Sequence, residues 1–577
     1  MKLISLNKYI SLLILFLCFN QLNAEEEIDI WNKDKIKDNE VEKNIENNET
    51  NFKSKIDINS TFESNIEIEN NISQNSQEVK IFGILDPEEN NFNLNMWSTS
   101  DAEDVRSSIK RINKIQLSNT ATQIFENTIL SIAYPPRGME NEEFVSLKTK
   151  WMIDNKRVDL IEKFLKQNKT FPSKKKLIQY LVDSNIAKAN IKEGCNKINF
   201  LDKDLKDRYL EKFKIYCLVF NKKKNEAQLQ LDILREENQS DKFFDDKINF
   251  LLGVTDKTSS KIREDSLLNF YLSSVTISNF SYEPKTKTKK IIWEYLNAAN
   301  LIQLEDNRDK EKLKNLEFAA NQDQFDKKKI FDIYSRISFD LNTLIKAEDV
   351  YQTFDSIDAR ALIYQKFLLS DNEENKIKLL ILLKDLFKKD KISNIFTREL
   401  SDRLKEIDMD NVSESYSEVV NKNIIIEEEF NQGKIKFDDK ILHRSKLIRY
   451  FRDEIDQKRA QKDLFKIYKK IKKNRKYFFS AKDLALVESL ASDGFEIPKE
   501  LNYKEISKQY NIPSNLLKLS TTEESAFLTL KLVEIIGEDE AYDLDPETIY
   551  FIIHLLNQNN LKKIRNEILI SALPERT

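Results

Sequence analysis

The side chains best suited to acid–base, nucleophilic or metal chemistry are scarce in this chain. Its 577 residues include two histidines, His443 and His554, and three cysteines, Cys18, Cys195 and Cys217. A structural zinc site takes four Cys or His ligands at close spacing, and these residues are never grouped that way, so the sequence implies no metal and no cofactor. His554 lies between Ile553 and Leu555 in a mostly apolar stretch and reads as a core or groove histidine. His443 lies beside Arg444 and near Lys446 and reads as a surface residue. With seven glycines in the chain, neither a Gly-x-Ser-x-Gly elbow nor a Gly-rich phosphate loop is present. Glu523-Glu524-Ser525 is the nearest echo of a lytic-transglycosylase glutamate, but it follows Thr521-Thr522 as an ordinary helix start. The sequence therefore assigns no catalytic residue and no cofactor-binding residue, and a peptidoglycan-acting enzyme ranks as the least favoured reading.

Cys195 and Cys217 could bridge a 23-residue segment, a loop closure worth about 3 kcal/mol. Yet Cys195 ends one helical pattern and Cys217 sits about four turns into the next. A plain antiparallel hairpin would hold them beyond the ~7 Å Cα separation a disulfide tolerates. A bridge and two buried thiols both stay open.

One run of charge stands out. Lys462, Lys466, Lys469, Lys470, Lys472, Lys473, Arg475 and Lys476 are interleaved with Phe465, Ile467, Tyr468 and Ile471, with Asp463 the only acid. Such spacing predicts an amphipathic helix with a basic side, suited to an anionic polymer, a membrane surface or an acidic protein. A solvated face balanced by nearby acids is the plain alternative.

These residues must be carried by helices. From about 101 onward apolar residues recur at three and four, as in Phe144, Leu147, Trp151 and in Leu379, Leu380, Leu383, Phe387. Three stretches share a phrase: Trp151–Asn155, Cys217–Asn221 and Ile553–Asn557 each end an apolar helix in an Asn-containing turn, and a second amphipathic helix follows. Each pair would need neighbours to cover its apolar face, the condition for a helical repeat. Gly138, Gly433, Gly494 and Gly537 read as turn or helix stops. Before the helices, residues 79–100 form an extended strip, because Pro87 disfavours helix at Asp86. Ser98 or Ser100 then caps the first helix, with Asp101, Glu103 and Asp104 in its first turn.

The N-terminus is different. Lys2 and Lys8 precede an apolar run from Ile10 to Phe19, and Ala24 is followed by Glu25-Glu26-Glu27, the pattern of a secretory signal over 1–24 cleaved after Ala24. A retained anchor is the alternative. Residues 25–78 lack any apolar period and belong to an acidic segment, with 15 acids against 7 bases over 25–80. That composition predicts a disordered tail.

The helix-turn-helix phrases resemble tetratricopeptide-like α-solenoids. A signal, an acidic tail, the Leu85-Asp86-Pro87 strip and Trp97 before the first helix together resemble secreted helical-repeat proteins of unknown function from alphaproteobacteria. The fold expected is all-α, an irregular α-hairpin repeat superhelix over 101–577 behind a disordered acidic tail. The function expected is a periplasmic or secreted non-enzymatic scaffold that binds an envelope protein or peptide and no nucleic acid. Trp151, Tyr216 and Trp293 are candidate aromatic anchors that read more readily as core. The alternative is a binder of an anionic envelope polymer or membrane surface through 462–476.

Overall fold

The computed structural model describes residues 80–576, except 203–204, 303–308, 426–434, 511 and 522–523. The signal read over 1–24, the tail read over 25–78, Gly433 and Glu523 lie outside them. The described chain is all-α. Among its residues the one ladder is a two-residue antiparallel pairing of Ile435–Lys436 with Glu575–Arg576.

The chain divides into two compact units. One comprises Leu85–Met139 with Lys434–Thr577, and the other comprises Phe82–Ile84 with Glu140–Gly433. Helical patterning runs on across residues 139 and 433, so the sequence reading of 101–577 as one superhelix draws neither boundary.

In the Glu140–Gly433 unit the three-and-four spacing becomes helix pairs in tandem. Asn141–Asp154 packs on Val158–Gln167, and Arg208–Phe220 packs on Lys224–Glu236, as two of the three shared phrases require. Polar contacts between successive pairs recur at a nearly fixed separation. Lys175 Nζ donates to Lys206 O and Lys206 Nζ to Glu237, each 31 residues on; Lys212 reaches Asp241 after 29, and Lys224 Nζ reaches Leu252 O after 28. Farther along, Gln365 Nε2 donates back 31 residues to Tyr334 O, and Arg360 reaches Asp390 after 30. That interval is about the length of one helix pair with its turns, so these bonds join neighbouring pairs. The arrangement is compatible with a helical-repeat fold.

The turns explain why the chain manages with seven glycines. After many helices the residue just past the C-cap takes a left-handed backbone: Lys156 (φ 54°), Lys222 (φ 62°), Asn238 (φ 55°), Lys391 (φ 59°) and Asn560 (φ 56°). The hydrogen bonds are those of a Schellman turn. Lys222 N donates to Val219 O at 2.9 Å and Lys223 N to Leu218 O at 2.8 Å, while Asn560 N reaches Asn557 O and Leu561 N reaches Leu556 O. Most proteins put glycine there because a Cβ costs about 1–2 kcal/mol in this conformation. Here Lys, Asn, Asp or Ala carries that cost.

The two cysteines are bonded, with Cα atoms 5.5 Å apart. The hairpin geometry does not apply, because Cys195 lies on a short seven-residue helix, Ile191–Lys197, that crosses the next one. Gly194 makes that crossing close: a Cβ there would meet Phe213 Cζ and Asn185 Cβ at 3.3 Å. The backbone therefore rests against the Phe213 ring, one turn before Cys217.

In the other unit the two ends of the described chain share a core. Asn119–Ile129 and Ala102–Ile112 both pack on Ser525–Ile536, and Thr128 Oγ1 meets Thr529 Oγ1 at 3.0 Å. Arg111 donates from Nε and Nη2 to the two oxygens of Glu534, both at 3.0 Å, and Ser108 joins the same carboxylate. Glu540 accepts from Asn119 N at 2.8 Å and from Thr120 Oγ1 at 2.9 Å, placing a carboxylate at a helix N-terminus where the backbone N–H groups lack partners. Pro546–Gln558 packs on Lys562–Ala572, the third shared phrase.

The strip before the first helix is partly buried, with Met96 and Trp97 fully so. It is not extended throughout, since Pro87–Asn90 forms a 3-10 turn capped by the Asp86 carboxylate. Asp101 caps the helix Ala102–Ile112 by accepting from Glu103 N at 2.9 Å. Ser98 and Ser100 do not cap it. Ser98 Oγ donates to Asn95 O, and Ser100 is buried one residue before the cap.

Candidate functional site

Two carboxylate–histidine pairs stand on one helix, Ala481–Ser492. Ser480 caps it in a reciprocal box: Ser480 Oγ accepts from Asp483 N at 3.2 Å, and Asp483 Oδ2 accepts from Ser480 N at 3.0 Å. A capping carboxylate normally faces water, yet Asp483 is buried. Its remaining lone pairs are filled by Tyr477 OH at 2.8 Å, by His443 N at 2.9 Å and by His443 Nδ1 at 2.7 Å. Burial alone would raise the Asp483 carboxyl, but the His443 hydrogen bond and charge, the Ser480 N–H and the Tyr477 hydroxyl hold it below the usual carboxylate range. Burial, followed by the Asp483 charge, pushes the Tyr477 phenol up.

His443 is therefore not a surface residue. Its side chain keeps 14% of its exposure, because an acid forty residues away folds over its Nδ1. With Asp483 ionised, the Nδ1 hydrogen faces the carboxylate and Nε2 is the ring nitrogen turned away from it. Among the described residues no hydroxyl or thiol hydrogen-bonds to Nε2. Ser480 Oγ lies 3.4 Å from Nδ1, the nitrogen Asp483 already occupies, and serves as the helix cap. The group is a clamp of four side chains around the buried Asp483.

The second pair faces another helix. His554, on Pro546–Gln558, has its Nδ1 2.5 Å from Glu488 Oε1 without hydrogen-bond alignment, and its Nε2 2.8 Å from Gln558 Nε2. Gln558 Oε1 in turn accepts from Ser520 Oγ at 2.6 Å. His554 is part-buried where Pro546–Gln558 packs on Ala481–Ser492. Thus both histidines of the sequence sit against carboxylates of the same helix. Neither acid carries a sequence signal beyond its place on an apolar-patterned helix, which is why Asp483 and Glu488 escape a reading by motif. Among the described residues no three His, Cys, Asp or Glu side chains cluster as metal ligands.

The basic stretch forms the C-terminal three turns of the helix Gln457–Lys472 and the turn that follows. Lys462, Lys466, Lys469 and Lys473 fall at intervals of four, three and four, a single stripe, and all are exposed. Three bases of the stretch have acid neighbours: Lys470 with Asp439 at 3.1 Å, Lys472 with Glu500 at 3.3 Å, and Lys466 with Asp463 at 3.7 Å. Lys462, Lys469, Lys473, Arg475 and Lys476 have no ion-pair partner among the described residues. The negative end of the helix dipole favours lysines in the last turn, so part of this charge has a structural reason. Phe465 interrupts the stripe at 38% exposure, and Phe478, just beyond it, is 81% exposed.

Trp151, Tyr216 and Trp293, the candidate anchors, are all buried, so none is a free anchor. Exposed aliphatic residues instead gather at the end of the helix Ser356–Leu368. Leu368 and Leu369 lie there, and Leu341 and Ile345 lie one turn apart on Leu341–Ile345, which packs on that helix. Lys366 Nζ donates to Ile345 O at 3.2 Å, joining the two elements. The four side chains are 47–71% exposed.

No helix among the described residues is long and apolar enough to cross a membrane. Comparison with known proteins gives no matching family model, no matching curated protein and no matching solved structure, so the likeness to helical-repeat proteins rests on the packed helix pairs themselves.

Proposed function

We propose that this chain is an exported, non-enzymatic helical-repeat scaffold of the tetratricopeptide-like kind, binding a protein or peptide partner in the cell envelope. The observation that carries the reading is the patch of Leu341, Ile345, Leu368 and Leu369. Four large aliphatic side chains left in water on joined elements mark a surface with something to gain from a partner. The leader-like N-terminus supports export.

The test is crosslinking in intact cells with a C-terminally tagged chain, comparing the wild type with L341S/L369S. One reproducible envelope protein, recovered by the wild type and lost by the variant, is the expected result. Equal recovery by both would remove the patch from the interface. A second reading, an anionic polymer or membrane surface held by 462–476, is favoured by the five bases without partners. It predicts recovery of polymer or lipid that is lost at high salt, because exposed charges more than a Debye length apart are screened.

A further inference from the structure

The stripe of Lys462, Lys466, Lys469 and Lys473 has a complement in the chain itself. The residues just after the leader-like segment read Glu25-Glu26-Glu27-Ile28-Asp29-Ile30-Trp31. Over 25–49 there are ten acids and four bases, and the first four acids come within five positions. We infer that residues 25–31 dock on the basic stripe of the helix Gln457–Lys472, as an acidic, partly apolar segment occupying it in cis.

Three observations converge. First comes charge: a row of lysines in which Lys466 alone has an acid neighbour meets four carboxylates on the other side, the juxtaposition that lowers the energy of both. The second is apolar. Phe465 within the stripe and Phe478 beyond it are the most exposed aromatic side chains of this unit, and the acidic segment interleaves its acids with Ile28, Ile30 and Trp31. A purely ionic partner would leave both phenylalanines in water, whereas an acidic segment carrying aliphatic and indole side chains covers them.

The third is reach. Residues 32–79 separate the segment from the first described residue, and at about 3.3 Å per extended residue they span far more than any path over this unit. The 3-10 turn Pro87–Asn90 packs on Lys562–Ala572, which packs on Ile448–Phe451, and the basic helix begins six residues after Phe451.

The inference goes beyond both functional readings and rests on neither. Its test uses the purified full-length chain treated with a zero-length carboxyl–amine crosslinker at low ionic strength, then digested and read by mass spectrometry. The expected products join Glu25, Glu26, Glu27 or Asp29 to Lys462, Lys466, Lys469 or Lys473 within one chain. They disappear at high salt and in K469E/K473E, whose exposed positions leave the fold intact by circular dichroism. Trp31 gives an independent readout, since Trp97, Trp151 and Trp293 are buried. Its quenching by acrylamide should rise in the charge-reversed variant and fall back when Glu26 and Glu27 are also changed to Lys. Absence of those crosslinks, an even spread over surface lysines, or joints only between isotopically distinct chains would overturn the assignment.

Discussion

In the Glu140–Gly433 unit, one set of polar bonds joins helices 28–31 residues apart, while others, such as Lys327 with Asn394, reach 67. In the unit of Leu85–Met139 with Lys434–Thr577, the bonds of Ser108, Arg111 and Thr128 span 401–426 residues. Closing a 400-residue loop instead of a 30-residue one costs only about 2 kcal/mol more in chain entropy. The consequence is greater for how each core is secured. Repeated neighbour contacts distribute stability over many similar joints, so each joint can be modest. A junction of chain ends has few joints, and each must be strong: hence the bidentate Arg111–Glu534 pair and the fully buried Thr128–Thr529 contact.

The comparison breaks most clearly where the tandem unit departs from its own rule. Arg360 is almost completely buried, donating to Glu317 Oε2 at 2.7 Å and to Asp390, with Tyr334 OH on the same Glu317. R360A leaves the Glu317 carboxylate buried without its cation and should cost about 3–5 kcal/mol. Denaturant unfolding followed by hydrogen exchange should place the loss in the helices around Phe331, Phe387 and Phe396. A loss under 1 kcal/mol would mean that the repeat joints, and not this charge cluster, hold that region.

Lys148 gives the next largest effect. It is fully buried, its Nζ donates to Phe82 O at 2.7 Å over the Phe144 ring, and burial lowers its pKa to about 7. The unfolded chain holds that proton up to about pH 10.5, so between pH 7 and 10 the unfolded state binds more protons and folding is favoured as pH rises. Relative to K148M, the wild type should gain about 1.4 kcal/mol per pH unit over that window. Below pH 7 the difference should level off. A flat difference from pH 7 to 9 would show that Lys148 stays charged when folded.

At the chain-end junction, E534A removes the acceptor of Arg111 and Ser108 together. Its expected cost is about 2–3 kcal/mol, as for charged hydrogen bonds that leave a partner unsatisfied. A double-mutant cycle with R111A should return most of that loss as coupling. Independent effects of the two changes would make the closure a matter of apolar packing alone.

What the sequence disclosed follows the same division. The phrases ending at Asn155, Asn221 and Asn557 were legible because a helix, its turn and its partner lie within thirty residues. The cap was misplaced by one to three positions, at Ser98 or Ser100 instead of Asp101, since several residues there can accept a backbone N–H. The nearness of Cys195 and Cys217 depends on a short helix crossing at Gly194, which no hairpin rule anticipates. His443 was misjudged because polar neighbours in sequence say nothing of Asp483, which arrives from forty residues away. Two units appear where one array was expected, because periodicity marks helices and is silent about which helices share a core. The aliphatic patch was equally hidden: Leu341 and Leu369 look like core residues until packing leaves them outside.

The smallest effect separates the turns of the two units. Lys222 and Lys391, in the tandem unit, hold left-handed backbones that favour glycine, whereas Asn560, in the other unit, belongs to a residue type that visits this conformation readily. Replacing Lys222 by Gly removes a Cβ penalty of about 1–2 kcal/mol and adds about 0.5–1 kcal/mol of unfolded-state entropy, for a net gain of about 0.5–1 kcal/mol. K391G should behave alike, while N560G should be close to neutral. Thermal unfolding of the three variants checks this. If K222G destabilises, the lysine side chain must be holding the turn by contacts that outweigh its backbone, and the repeat joints would then owe more to their turns than to the bonds spaced thirty residues apart.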